Sequence, residues 1–196
     1  MDYPRRVRIY EVGPRDGLQN EQRLIPTDAK LAYIGMLTAA GLREIEATSF
    51  VSPRAIPQLA DADELMPALT ALRIVEVRYP VLVPNERGME RAEAAGANAL
   101  AVFTAASDEF TRRNIGMTIE ESLTAFAPAL RRATELGWWK RAYVSTAFGC
   151  PFTGRVEPAK VVDVTLRLLE LGVDEVCLGD TIGVAVPSQV RVLTEA

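Results

Sequence analysis

From residue 26 onward the chain repeats one pattern: apolar positions at helical spacing, a glycine, then a short apolar run of strand length. Pro26-Thr27-Asp28 opens the first such helix, with Thr27 the expected N-cap. Leu31, Ile34, Leu37 and Leu42 mark its buried side, and Gly41 suits the left-handed position past its last turn. A strand over 42–47 follows. A second helix ends at Ala94-Ala95-Gly96 before a strand over 99–103. A third opens on the capping box Thr118-Ile119-Glu120-Glu121 and ends near Gly137, before a strand over 141–145. A fourth opens at Glu157-Pro158 and stops at Gly172, before a strand over 173–178. Apolar runs at 7–12 and 75–83 read as two more strands, residues 59–72 as a further helix, and residues 187–196 as the start of another.

Six strands alternating with helices make an α/β protein with parallel pairing, because helical crossovers return each strand in the same direction. An open doubly wound sheet and a closed (β/α)8 barrel both accept this order. A barrel needs roughly 200 to 250 residues, so in 196 residues it would lack about two units. Periodicity leaves the choice open. No linker or low-complexity stretch divides the chain, so a single domain over 1–196 is expected.

Composition narrows the chemistry. At 48% hydrophobic and 24% charged, the chain can bury a core that offsets the entropy of ordering. A net charge of −4 argues against a nucleic-acid-binding face, and no apolar run approaches the ~20 residues of a membrane helix. The opening Met1-Asp2-Tyr3-Pro4-Arg5-Arg6 shows no leader pattern. Two cysteines make no disulfide framework and point to a reducing compartment. With no histidine in the chain, His bases, Ser-His or Cys-His pairs and His-ligated zinc are excluded within it.

Candidate chemistry therefore rests on the acids and Arg15 that follow strands. Loops after strand C-termini build ligand sites in either parallel architecture. After strand one, Glu11-Val12-Gly13-Pro14-Arg15-Asp16-Gly17 supplies a cation beside a hard oxygen ligand, though a solvated turn has the same composition. Glu46 closes strand two among apolar neighbours, where ionisation is costly unless it is paired. Arg15 is its expected partner, and an exposed rim Glu is the plainer alternative. Leu178-Gly179-Asp180-Thr181-Ile182-Gly183 flanks an acid and a hydroxyl with glycines, as a ligand loop or an Asp-stabilised turn. Cys150 lacks a basic neighbour and reads as structural, Trp138-Trp139 as core or subunit interface, and the run 86–91 as a solvated helix face with i,i+4 pairs. Glu11, Asp16, Glu46 and Asp180 at one end of a sheet would repel without a cation, and Mg²⁺ or Mn²⁺ prefers such ligands. From the residues alone, the expectation is a metal-assisted enzyme for an oxygen-rich anionic substrate.

The run Val12-Gly13-Pro14-Arg15-Asp16-Gly17-Leu18-Gln19-Asn20-Glu21 resembles the opening signature of the 3-hydroxy-3-methylglutaryl-CoA lyase family. The likeness continues through Glu46-Ala47-Thr48-Ser49-Phe50-Val51-Ser52-Pro53, Ala105-Ala106-Ser107, Gly149-Cys150-Pro151 and Gly179-Asp180-Thr181-Ile182-Gly183. The resemblance implies a (β/α)8 TIM barrel, of which this chain holds about six units. It also implies retro-Claisen cleavage of an acyl-CoA to acetyl-CoA and acetoacetate. By resemblance Asp16 ligates a divalent cation (Mg²⁺ or Mn²⁺), Arg15 stabilises the thioester enolate, and Glu46 holds Arg15. Asp180 assists deprotonation of the hydroxyl, Glu11 supports the network, and Gln19, Ser49 and Thr181 contact substrate or backbone. The family's His-x-His, later Asn and loop cysteine have no counterpart here, so a truncated chain, inactive alone, is expected. A related acyl-CoA lyase or Claisen-condensing enzyme, and a non-catalytic fragment needing a partner, are the alternatives. The resemblance further implies a cytoplasmic enzyme of leucine degradation or ketone-body formation, a homodimer when complete, with no nucleic-acid or membrane partner.

Overall fold

The computed structural model describes residues 5–72 and 74–196. Residues 1–4, where the sequence reading expects no leader pattern, lie outside them. The chain forms two compact units, Met1–Val83 with Arg87–Ala99, and Pro84–Glu86 with Leu100–Ala196.

In the first unit the order is β1 (Tyr10–Glu11), a π-helical turn (Gly13–Gly17), α1 (Thr27–Ala39), β2 (Glu44–Ile45) and β3 (Thr48–Ser49). A 3-10 turn (Pro57–Leu59), α2 (Ala62–Ala71), β4 (Val81–Leu82) and α3 (Glu86–Ala94) follow. β1 pairs in parallel with β2, in the register Tyr10 to Glu44 and Glu11 to Ile45, and β3 pairs in parallel with β4. Of the expected strand over 42–47 only Glu44–Ile45 is strand, and β3 lies just beyond it; Ala47 N–H donates to Pro80 O (3.0 Å) and Phe50 N–H to Leu82 O (2.8 Å). The strands expected over 7–12 and 75–83 are also shorter. Val7 and Ile9 are exposed, and Val75 sits in a turn at 96% exposure, so their apolar side chains have no surface to bury against.

Helix α1 begins one residue earlier than its capping chemistry suggests. Pro26 holds the cap position, and Thr27, inside the first turn, donates its hydroxyl to Asp61 Oδ2 at 3.0 Å. Its buried residues are Ile34 and Lys30, while Leu31 and Leu37 are only half-buried. Lys30 Nζ donates to Gln58 O at 2.5 Å and pairs with Asp61 Oδ1 at 2.6 Å, which fixes α1 to the start of α2. Gly41 takes φ +98°, as its place after the helix requires. On α3, Arg91 does not pair along its own helix: it bonds Asp63 Oδ2 (2.6 Å) and Val51 O (3.2 Å) and lies over the Phe50 ring.

The second unit runs β5 (Ala99–Ala105), α4 (Asp108–Ile115), α5 (Ile119–Glu135), β6 (Trp139–Ser145), the hairpin β7 (Gly149–Cys150) with β8 (Gly154–Arg155), α6 (Pro158–Glu170), β9 (Glu175–Leu178) and α7 (Pro187–Glu195). Strand order is β5-β6-β9, with β6 and β9 parallel. The capping box at Thr118 and Glu121 is formed, and Pro158 opens α6. Trp138 is buried at 8% exposure. Helix α4 and the hairpin were not expected. Ser107 Oγ caps α4 by accepting the Phe110 N–H at 3.3 Å. No helix among the described residues is long and apolar enough to cross a membrane.

Candidate active site

The polypeptide leaving β1 folds at once into the π-helical turn, where Val12 O accepts the N–H groups of Arg15 (3.1 Å), Asp16 (2.7 Å) and Gly17 (3.4 Å). Gly13 makes this turn possible. Its N–H donates to Glu11 Oε1 at 2.6 Å, and a Cβ there would stand 2.6 Å from Tyr33 Oη and 2.8 Å from that same carboxylate oxygen. Asn20 Nδ2 closes the far side by donating to Asp16 O at 2.7 Å. The turn directs Arg15 inward, 9% exposed, and leaves the Asp16 side chain outward at 54%.

Glu46 meets Arg15 from the position just after β2. Its N–H continues the parallel ladder by donating to Glu11 O at 2.8 Å, and alternation along a strand puts its side chain on the face of Glu44. Glu44 pairs there with Arg78 at 2.8 Å and with Arg8 at 3.8 Å. Glu46 is fully buried: Oε1 accepts from Arg15 Nε, and Oε2 accepts from Tyr10 Oη at 2.8 Å. Arg15 also gives Nη1 to Asp16 Oδ1 at 2.6 Å. A buried carboxylate is thus satisfied by a guanidinium and a phenol, and the guanidinium bridges the buried acid to the exposed one.

Two of the acids expected to converge are bridged by a cation of the chain itself. Arg15 lies between Glu46 and Asp16, and Glu11 is bonded to the Gly13 N–H. Among the described residues no three His, Cys, Asp or Glu side chains are grouped to hold a metal.

Gln19 is half-buried at the end of the turn. Ser49 is fully buried, donating to Leu82 O and accepting the Val51 N–H, both at 3.3 Å, so its hydroxyl ties β3 to β4. Asp180 and Thr181 belong to the second unit. The Asp180 carboxylate accepts the N–H groups of Val184 (3.0 Å) and Ala185 (2.9 Å), and Thr181 Oγ1 accepts the Thr146 N–H at 2.7 Å. Thr146 has φ +57°, a strained value for a β-branched residue, at the end of β6. The Cys150 thiol accepts from Ser107 Oγ (3.1 Å) and Phe152 N–H (3.4 Å). Burial raises its pKa, but the donors Ser107, Thr153 and Phe152 together bring it below the usual thiol value. The first of these donors lies 43 residues away in sequence.

Tyr10 adds a donor to the network and was missed, as was Tyr33, whose hydroxyl lies against Gly13. Tyr10 was legible in principle, since a residue opposite Glu44 on β1 reaches diagonally to Glu46.

Residues 6–196 match the HMGL-like family model. The chain belongs to the HMGL-like family. It is 47% identical over 194 residues to a protein of Bos taurus named hydroxymethylglutaryl-CoA lyase, mitochondrial, covering 99% of this chain and 59% of that protein. The crystal structure of hydroxymethylglutaryl-CoA lyase from Pseudomonas aeruginosa superposes with a TM-score of 0.94 at 44% identity, over 100% of this chain and 65% of that one. An HMG-CoA lyase from Acinetobacter baumannii in complex with coenzyme A and 3-methylmalate superposes with a TM-score of 0.88 at 38% identity, over 95% of this chain and 60% of that one. The chain therefore spans about three-fifths of these relatives. HMGL-like proteins form a TIM-barrel family of lyases dependent on a divalent cation, and this chain carries six strand positions of such a barrel. Of its residues, Asp16 has the exposed carboxylate oxygen that such a hard cation takes, as one ligand among several.

Proposed function

We propose that the protein is a carbon–carbon lyase that cleaves 3-hydroxy-3-methylglutaryl-CoA to acetyl-CoA and acetoacetate. The observation that carries this reading is the buried Arg15–Glu46 pair, which holds a permanent cation immobile where the turn after β1 opens. Family membership and the coenzyme A complex of a relative support it.

Cleavage breaks the bond between the second and third carbons. The hydroxyl loses its proton, its oxygen becomes the ketone of acetoacetate, and the bonding pair passes to the thioester as an enolate, which then takes a proton at carbon. Charge on the enolate oxygen exists mainly in the transition state, so a donor already aimed at it lowers the barrier. Arg15 is that donor, held by Glu46, with Glu11 supporting the turn through Gly13. Asp180 accepts the hydroxyl proton, Gln19 and Thr181 contact the substrate, and Ser49 ties the backbone of β3 to β4. Asp16 ligates Mg²⁺ or Mn²⁺, which when bound polarises the substrate's oxygens. The protein acts in the cytoplasm, as a homodimer.

The test is acetoacetate release from 3-hydroxy-3-methylglutaryl-CoA by the protein at the length its gene encodes, with Mg²⁺ or Mn²⁺ supplied. Arg15→Gln is expected to lower kcat by about 10²–10³. No acetoacetate with either cation sinks the proposal, and faster turnover of another acyl-CoA in competition reassigns the substrate.

A further inference from the structure

The segment that leaves β6 runs beside the loop that leaves β9. Ala147 N–H donates to Gly179 O at 3.0 Å, and Thr146 N–H to Thr181 Oγ1 at 2.7 Å. Further along, at the start of the β7–β8 hairpin, the contact is one of packing. A Cβ built on Gly149 would stand 2.9 Å from Val184 Cγ2, closer than two carbons approach without strain. The next nearest atoms, Ile182 Cδ1 at 3.8 Å and Gly154 O at 3.9 Å, would be at ordinary contact distance. Gly149 does not take a positive φ, so its backbone suits any residue, and what the position lacks is room for a side chain.

Val184 is also where the loop holds Asp180. Its N–H donates to Asp180 Oδ1 at 3.0 Å, and the Ala185 N–H donates to Oδ2 at 2.9 Å. Each carboxylate oxygen keeps a second acceptor position for a substrate hydroxyl. The two sides of the packing contact differ in freedom. The hairpin is fixed, because Gly149 pairs with Arg155, Cys150 with Gly154, and the Phe152 N–H is bonded to Cys150 Sγ. Val184 is 48% exposed, and its β-branched side chain is stiff at the first torsion. A methyl at position 149 would therefore push the backbone at 184 outward, and with it the N–H on the Asp180 carboxylate. We infer that Gly149 is a positioning residue for Asp180: the space left by its missing side chain lets Val184 lie where its N–H aims the carboxylate. The inference deepens the lyase reading and rests on it for the reaction, while the geometry it asserts can be read without turnover.

The experiment compares wild type, Val184→Ala, Gly149→Ala and Gly149→Ala with Val184→Ala, each in the protein at the length its gene encodes. Amide hydrogen exchange over residues 180–186 is read for each, together with kcat and KM for thioester cleavage. Gly149→Ala is expected to exchange about tenfold faster over that loop, with the core strands unchanged. Its kcat is expected to fall about ten- to a hundredfold at a KM within about twofold. Removing the opposing methyls should bring the double variant to within about threefold of Val184→Ala in both readouts. Unchanged exchange in Gly149→Ala overturns the inference whatever the activity. Faster exchange that Val184→Ala does not relieve overturns it too, because the contact is then not the cause. So does faster exchange with kcat unchanged, since the loop's place then does not matter to the reaction. If the wild type releases no acetoacetate while exchange follows the expected pattern, the positioning of the carboxylate stands and the lyase reading falls. If Gly149→Ala alone does not fold, the double variant should, and its failure overturns the inference.

Discussion

Replacing Glu46 by Gln removes one charge from the Arg15–Glu46 pair and changes almost no volume. Glu46 is fully buried and the Arg15 side chain is 11% exposed, so the guanidinium cannot recover its lost partner by moving into water. Breaking a buried pair from one side costs about 3–5 kcal/mol. The remaining partner, Asp16, has a side chain 54% exposed, and a solvated pair of that kind offsets only about 0.2–1 kcal/mol. The glutamine amide also has one carbonyl oxygen for two donors, so Tyr10 must become the acceptor. A loss of about 3 kcal/mol is therefore expected, and for a chain of this size that lowers Tm by about 6–12 °C. Urea unfolding at pH 7 measures it, with an unchanged m-value showing that the same surface unfolds. Arg15→Met added to Glu46→Gln should return about 2 kcal/mol of the summed single losses, because neither charge is then stranded. A loss under about 1 kcal/mol, or simple additivity, would mean that Arg15 is solvated and not held, and the argument for an immobile cation would fail.

Gly13→Ala should destabilise by about 1–3 kcal/mol, since its Cβ meets Tyr33 Oη and Glu11 Oε1. Thermal unfolding of Gly13→Ala alone and with Tyr33→Phe tests this, and no relief in the double variant would refute the proposed clash. Lys30→Met should cost about 3 kcal/mol by stranding Asp61, and Lys30→Met with Asp61→Leu should recover most of it; equal losses in denaturant titrations of the two would contradict this. Asp108 accepts the Ile119 N–H at 3.0 Å and faces Lys160, and against the cost of desolvation these hold its carboxyl below the usual 3.8. The unfolded chain binds that proton first on acidification. The contribution is therefore complete above 3.8 and fades as pH falls through the lowered native value. Asp108→Asn should flatten that part of the stability–pH curve, and an unchanged slope would remove Asp108 from it.

What the sequence by itself determined is what depends on neighbours along the chain. The alternation of helices and strands, the capping box at Thr118 and Glu121, the left-handed Gly41 and the proline start of α6 all follow from local periodicity and backbone preference. The motif after strand one also marked Arg15, Asp16 and Glu46, because an acid among apolar residues needs a partner and the adjacent strand end offered one. Tertiary structure decided the rest. Whether an apolar run becomes a strand depends on finding a covering surface, which residues 7–9 and Val75 do not have. Whether Lys30 is a surface charge or a buried link depends on where α2 puts Asp61. Periodicity reports which face of an element is apolar, and it carries no information about the distant residue that face will meet. The same limit explains the acids. Read along the chain they are four like charges in search of a metal, whereas in the fold Arg15, through Nε and Nη1, bridges two of them. Tyr10, an ordinary strand residue by pattern, becomes the second donor to Glu46 only because parallel pairing sets it one diagonal step away.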